Sequence, residues 1–196
     1  MSNLEQVPAS ERIHIGFFGA RNAGKSSLVN AITGQEISIV SSVAGTTTDA
    51  VSKSMELLPL GAVLITDTAG YDDDDAALGR QRIEKSRREL FRTDIAVLVA
   101  DAAKPLGETE QTLIQLFEQE HTPYLIALNK SDALSEKEIL KKQKQLEKAA
   151  HKKVYVVSAI ARQGIWDCLS ELNGYISRQR SPKKETENEK TWSPLN

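Results

Sequence analysis

The sequence holds a single cysteine, Cys168, in 196 residues. An internal disulfide is therefore excluded, as is any four-cysteine zinc or iron–sulfur site within this chain. Long apolar runs are missing too, since none approaches the ~20 residues that a membrane-spanning helix needs. Residues 1–11, MSNLEQVPASE, have neither the basic start nor the apolar stretch of a secretory signal. Nor does charge of one sign dominate: 25 Lys and Arg face 27 Asp and Glu, for a net charge of -2. No global field draws such a chain to nucleic acid or to a membrane. These absences point to a reducing, cytoplasmic setting, with no membrane partner and, on charge, no nucleic-acid partner. What remains is an ordinary globular composition, 40% apolar and 27% charged, long enough for one domain with a sizeable core.

Five short apolar segments stand out: Ile13–Phe18, Val63–Ile65, Ile95–Ala100, Tyr124–Leu128 and Val154–Val157. Bounded by Gly, Asp, Asn or Pro, they read as strands buried on both faces of a parallel sheet. Helical stripes lie between them. Leu28, Val29 and Ile32 form one, and Leu113, Ile114, Leu116 and Phe117 another. Ile165, Trp166, Leu169, Leu172 and Ile176 form a third, and Ser135 with Glu138 has the spacing of a capping box opening a helix over 135–150. Val51–Leu57 differs, because its apolar residues mostly alternate with polar ones. The turn Pro59-Leu60-Gly61 ties it to Val63–Ile65 too closely for anything but an antiparallel hairpin. The expectation is an α/β domain over 12–180, with helices on both faces of a six-stranded, mostly parallel sheet and one antiparallel edge strand. Residues 1–11 read as a flexible N-terminus. Residues 181–196, SPKKETENEKTWSPLN, read as a disordered tail or linker in which Trp192 marks the start of a further domain.

Directly after the first apolar run comes Gly19-Ala20-Arg21-Asn22-Ala23-Gly24-Lys25-Ser26, which fits G-x-x-x-x-G-K-[ST] between a strand and a helix. Gly19 and Gly24 let the backbone turn so that amides of Asn22, Ala23, Gly24, Lys25, Ser26 and Ser27 face phosphate oxygens. The helix start adds its positive dipole end, and Lys25 adds a point charge that also serves catalysis. The Ser26 hydroxyl suits Mg²⁺. Asp67-Thr68-Ala69-Gly70 follows the strand Val63–Ile65. There Asp67 can hold the Mg²⁺ shell, and Gly70 can offer its N–H to a γ-phosphate. Asn129-Lys130-Ser131-Asp132 follows Tyr124–Leu128. The acceptor-only carboxylate of Asp132 matches the N1–H and amine donors of guanine, a pair that adenine lacks. Asn129 would brace the loop and the Lys130 stem would cover the base. A backbone N–H within Ser158-Ala159-Ile160 would meet the guanine oxygen. GTP is thus the expected nucleotide, P-loop NTPase the expected class, and GDP the expected product.

The ordered set GARNAGKS, AGTTTD, DTAG, NKSD and SAI resembles the Ras-like small GTPases of the translation-factor class, and NAGKSSLVNA with GTTTD is similar to their tRNA-modification branch. Closer still, GQEISIVSSVAGTTTDAVSKSMELLPLG and DTAGYDDDDAALGRQRIEKSRREL resemble the HydF family of FeFe-hydrogenase maturation GTPases, over roughly residues 12–160. That resemblance implies later dimerisation and cluster-binding domains, beyond residue 196, as partners, together with other hydrogenase maturation enzymes. The chain itself would hold no iron–sulfur cluster and would be an isolated GTPase domain. The resemblance also assigns Thr47, with Thr46 and Thr48 beside it, to the Mg²⁺ shell and to catalysis. It makes Gln35–Asp49 a first switch, and Asn22 a K⁺ ligand whose cation acts where an arginine finger would. Tyr71 stands where Ras-like enzymes place a water-orienting glutamine, and Gly79 where the tRNA-modification branch places a glutamate, so the water-positioning residue stays unassigned and hydrolysis is expected to be slow.

Other features read as structural. His14, His121 and His151 form no metal spacing, Cys168 belongs to the core, and Asp72–Asp75 and the lysines of 137–153 are solvated. The basic residues Arg80, Arg82, Lys85, Arg87, Arg88 and Arg92 share one helix, as a solvated face or a partner surface. Two other functions compete with hydrogenase maturation: an RNA-associated GTPase, and an ATP-dependent kinase, against which Asp132 argues.

Overall fold

The apolar runs and the alternating segment become strands of one sheet. The structure, a computed structural model, describes residues 12–34, 51–68 and 76–180. Its elements are β1 (Ile13–Phe18), α1 (Lys25–Thr33), β2 (Val51–Leu57), β3 (Gly61–Asp67), α2 (Ala76–Leu90), β4 (Ile95–Asp101), α3 (Glu108–Gln119), β5 (Tyr124–Asn129), α4 (Glu136–Ala150), β6 (Val154–Val156) and α5 (Ile165–Arg180). The six strands lie in the order β2-β3-β1-β4-β5-β6. β2 pairs antiparallel with β3, from Val51↔Asp67 to Leu57↔Gly61, and every other pairing is parallel. The expected class holds, including the antiparallel edge strand. After β1 the chain moves to one side of it for β3 and to the other for β4. Such a switch point opens a crevice at the carboxyl ends of the strands.

Burial explains why these segments read as they do. All of β4 is buried, and its side chains alternate between two cores. Ile95, Val97 and Val99 join Leu28, Val29 and Ile32 of α1 and Leu169, Leu172 and Ile176 of α5 on one face. Ala96, Leu98 and Ala100 join Leu113, Ile114 and Phe117 of α3 and Leu146 of α4 on the other. Phe117 sits edge-on to Phe18 with ring centroids 5.3 Å apart. Each strand therefore stays apolar on both faces, as three-layer packing demands.

Two expectations shift. Trp166 leaves the third stripe and is 69% exposed. Ile165, Leu169, Leu172 and Ile176 follow helical spacing and are buried, whereas the next residue round, Trp166, lies about 100° away from Ile165. Cys168 takes the inward position instead and is fully buried, where loss of solvent pushes its thiol up to about 12. The hairpin turn is Leu58–Leu60, with a cis Leu58–Pro59 peptide, so Gly61 belongs to β3. The Ser135–Glu138 capping box forms as expected. Gln35–Asp49, Gly70, Tyr71, Asp72–Asp75, residues 1–11 and residues 181–196 lie outside the described residues.

Candidate functional site

The loop after β1 is shaped by its glycines. Gly19 has φ 149°, and a Cβ there would stand 2.2 Å from the carbonyl oxygen of Val99 on β4. Gly24 has φ 90°, and a Cβ there would meet the Asn129 side-chain nitrogen at 2.3 Å. Asn22 accepts the left-handed conformation, φ 62°, on an exposed residue between them. The Ala23 N–H closes the turn on the Ala20 carbonyl at 3.2 Å, and α1 starts at Lys25 with Gly24 as its N-cap and no side-chain cap among the described residues. A helix start left open in this way is built to receive an anion.

Lys25 is only 6% exposed. Its Nζ donates to the carbonyls of Gly19 (3.2 Å) and Ala20 (3.0 Å), which hold the ammonium across the loop. The Ser26 hydroxyl donates to Asp67 Oδ2 at 2.5 Å, bringing the expected metal pair together from α1 and β3. Asp67 Oδ1 is buried and has no hydrogen-bond partner among the described residues. A hydroxyl beside a carboxylate with one unsatisfied buried oxygen is a hard-oxygen set that fits Mg²⁺. Among the described residues no cluster of three or more His, Cys, Asp or Glu is suited to a metal, so Ser26 and Asp67 would hold Mg²⁺ together with phosphate oxygens, water or residues outside the described ones. Thr46, Thr47 and Thr48 lie outside the described residues.

Burial raises the Asp67 carboxyl above its ordinary range, against the lowering effects of the Ser26 hydrogen bond and the Lys25 charge. Ionised Asp67 is therefore a cost to folding. That cost is absent below its ordinary value of 3.8, grows as pH rises, and is complete above the folded-state value. Without nucleotide or Mg²⁺, Asp67→Asn should raise the urea midpoint over the parent at neutral pH, and the gap should close on acidification. A variant no more stable than the parent at neutral pH contradicts this.

The base-side loops are tied to the phosphate loop by one amide. Asn129, 2% exposed, donates from Nδ2 to the Ala23 carbonyl and accepts the Ala159 N–H on Oδ1, each at 3.0 Å. It thus braces both loops, as the sequence suggested. Asp132 is exposed at the rim, and its Oδ1 accepts the hydroxyl of fully buried Ser158 at 2.5 Å. The Ser158–Gln163 loop closes through paired backbone bonds of 3.0 and 3.1 Å. Ser158 and Ala159 use their amides on Gln163 and Asn129, whereas the amide of Ile160, 82% exposed, has no partner among the described residues.

Sequence reasoning missed two residues. Thr68 donates from N and Oγ1 to the Phe17 carbonyl, at 3.2 and 2.7 Å, and pins the end of β3 to β1. Asp101, at the end of β4, forms a 2.7 Å ion pair with Lys130 Nζ. Its position was the available signal, since Asp67 and Asn129 also end their strands. The three histidines stay out of the site, and His14 Nδ1 lies 2.8 Å from the Arg92 carbonyl.

A P-loop, a strand-end carboxylate and an asparagine-braced base loop at one crevice define the P-loop GTPase fold and site. The profile of the 50S ribosome-binding GTPase family matches residues 14–130, and the chain belongs to that family. It is a GTP-binding, GTP-hydrolysing domain. It is 34% identical over 174 residues to GTPase Der of Maridesulfovibrio salexigens, covering 84% of this chain and 38% of that protein. It is 38% identical over 170 residues to tRNA modification GTPase MnmE of Psychrobacter cryohalolentis, covering 82% and 35%. The chain therefore spans little more than a third of these relatives' length. In fold it resembles Era of Aquifex aeolicus bound to GDP and AlF4⁻, with a TM-score of 0.68 and 22% identity over 83% of this chain and 56% of that one. Among the described residues no helix is long and apolar enough to cross a membrane.

Proposed function

We propose that this domain is the GTP-driven switch of a maturation factor for FeFe-hydrogenase. In the reaction, water attacks the γ-phosphorus, the bond to the β–γ bridging oxygen breaks, and GDP and inorganic phosphate leave. Lys25 and the α1 amides gather the phosphate charge, while Ser26, Asp67 and Thr47 would hold Mg²⁺, which when bound would supply positive charge to the phosphate oxygens. Gly70 and Thr46 act at the γ-phosphate side. Asp132 selects guanine, with Asn129, Lys130 and the Ser158–Ile160 loop framing the base. The observation carrying the maturation role is the resemblance of residues 34–61 and 67–90 to the hydrogenase maturation GTPases, in particular MELLPLG. In the fold, Met55, Leu57 and Leu60 of that stretch are buried in the α1/α5 core. The partners would be later dimerisation and cluster-binding domains and other maturation enzymes, in the cytoplasm.

The second reading is an RNA-associated GTPase, favoured by the relatives named Der and MnmE. Deleting the reading frame from a hydrogen-producing host separates the two. Loss of FeFe-hydrogenase activity, restored by the parent gene but not by Lys25→Ala, supports the maturation role. Normal hydrogenase activity with RNA cross-linked to the protein overturns it. A K⁺ ion would act at the same site, with Asn22, exposed and left-handed on the phosphate loop, as its ligand. Turnover in K⁺ should exceed turnover in Na⁺ at equal ionic strength, and equal rates remove Asn22 from that role.

A further inference from the structure

Asp101 lies outside the loop motifs, yet it pairs with Lys130 across the carboxyl ends of β4 and β5. Asp101 ends β4 and lies in register with Asn129 at the end of β5. Its side chain is 4% exposed. Both of its oxygens are engaged: Oδ1 accepts the Ala103 N–H at 2.9 Å and Oδ2 accepts Lys130 Nζ at 2.7 Å. The backbone is tied in the same place, since the Ala102 N–H donates to the Asn129 carbonyl at 2.8 Å. Lys130 itself is left-handed, with φ 64°, and caps the short 3₁₀ turn Ser131–Ala133 that carries Asp132. Its ammonium is anchored over β4 while its Cα belongs to the β5 loop. The aliphatic stem must therefore run sideways between the two strand ends, beside the carboxylate that faces the base.

We infer that Asp101 is a positioning residue for guanine recognition: it stretches the Lys130 stem into a fixed platform for the base. The inference rests on the guanine site proposed above. A lysine stem left in solvent samples many rotamers and loses that freedom when a ring settles on it. Pinned at its far end by a buried carboxylate, it has lost the freedom beforehand, so binding no longer carries the ordering cost. The pair is desolvated on the acid side, which makes it directional and hard to replace by water. Asp101 touches no part of the nucleotide in this scheme and acts only through Lys130. The rival account is a clamp that merely joins the ends of β4 and β5.

The test is equilibrium titration of the full chain with GDP and with GMP in Mg²⁺, for the parent, Asp101→Asn, Lys130→Met and the double variant. Immobilising one long side chain corresponds to about a tenfold effect. Each single variant should bind GDP and GMP about tenfold more weakly, by the same factor for both, because the loss sits at the base and not at the phosphates. The double variant should be no weaker than either single. GDP affinity within twofold of the parent in folded Asp101→Asn, with only the nucleotide-free urea midpoint lowered, overturns the inference in favour of the clamp. So do losses that multiply in the double variant. Should Asp101→Asn fail to fold, Lys130→Met decides alone, and unchanged GDP affinity there overturns the platform. A parent chain that binds neither GDP nor GMP overturns the guanine site itself, a distinct failure.

Discussion

Lys25→Ala lowers GTP turnover by at least about a hundredfold while the domain remains folded. Removing one preorganised charge from a site where phosphate charge develops costs about 3–4 kcal/mol of transition-state stabilisation, or about 10²–10³ in rate. Among the described residues Lys25 is the one cationic side chain held inside the phosphate loop. Lys25 is only 6% exposed and its ammonium is held by the Gly19 and Ala20 carbonyls, so it is placed before the substrate arrives. Folding should survive, because the apolar contacts of α1 are made by Leu28, Val29 and Ile32, which stay in place. Phosphate release under saturating GTP measures the first effect and circular dichroism the second. Turnover within tenfold of the parent would remove Lys25 from catalysis.

Asp132→Asn exchanges nucleotide specificity. Aspartate offers only acceptors to the two donors on guanine's edge, whereas asparagine sets an NH₂ donor against one of them. The mismatch leaves donors facing each other, and where such pairs are buried they discriminate by about 10⁴–10⁵. Because Asp132 stands exposed at the rim, about 10³ in GTP affinity is the expected loss. Xanthine carries an oxygen where guanine has its amine, which the asparagine NH₂ satisfies, so xanthosine triphosphate should bind the variant better than GTP. The loop keeps its shape, since an asparagine oxygen still accepts the Ser158 hydroxyl. Competition of both triphosphates against labelled GDP measures the exchange. A variant that still prefers GTP would show that the base is read elsewhere.

The fold was legible because its strands are buried on both faces. β4 reads as an unbroken apolar run since its alternate side chains feed two different cores. The P-loop was legible for a local reason, as the glycines at 19 and 24 stand where a Cβ would strike Val99 and Asn129. Trp166 was misplaced because an apolar residue next to a stripe is indistinguishable from one within it until the helix is docked. Asp101 was hard to single out for a different reason, since its place at a strand end was the whole of its signal. A lone aspartate after a strand carries no motif, and only the register of β4 with β5 brings it to Lys130. The same holds for Thr68, whose bond to Phe17 exists only once β3 lies beside β1. Single-chain spacing records what a loop needs along its own length, and not what a neighbouring strand will offer it.

One titration bears on the whole construction: fluorescent GDP added to the full chain in Mg²⁺, then displaced by unlabelled nucleotides. Saturation at one equivalent, with displacement by GTP and not by equimolar ATP, is the result that the Lys25 cradle and the Asp132 edge together predict. No saturable binding, or ATP displacing as well as GTP, would contradict it.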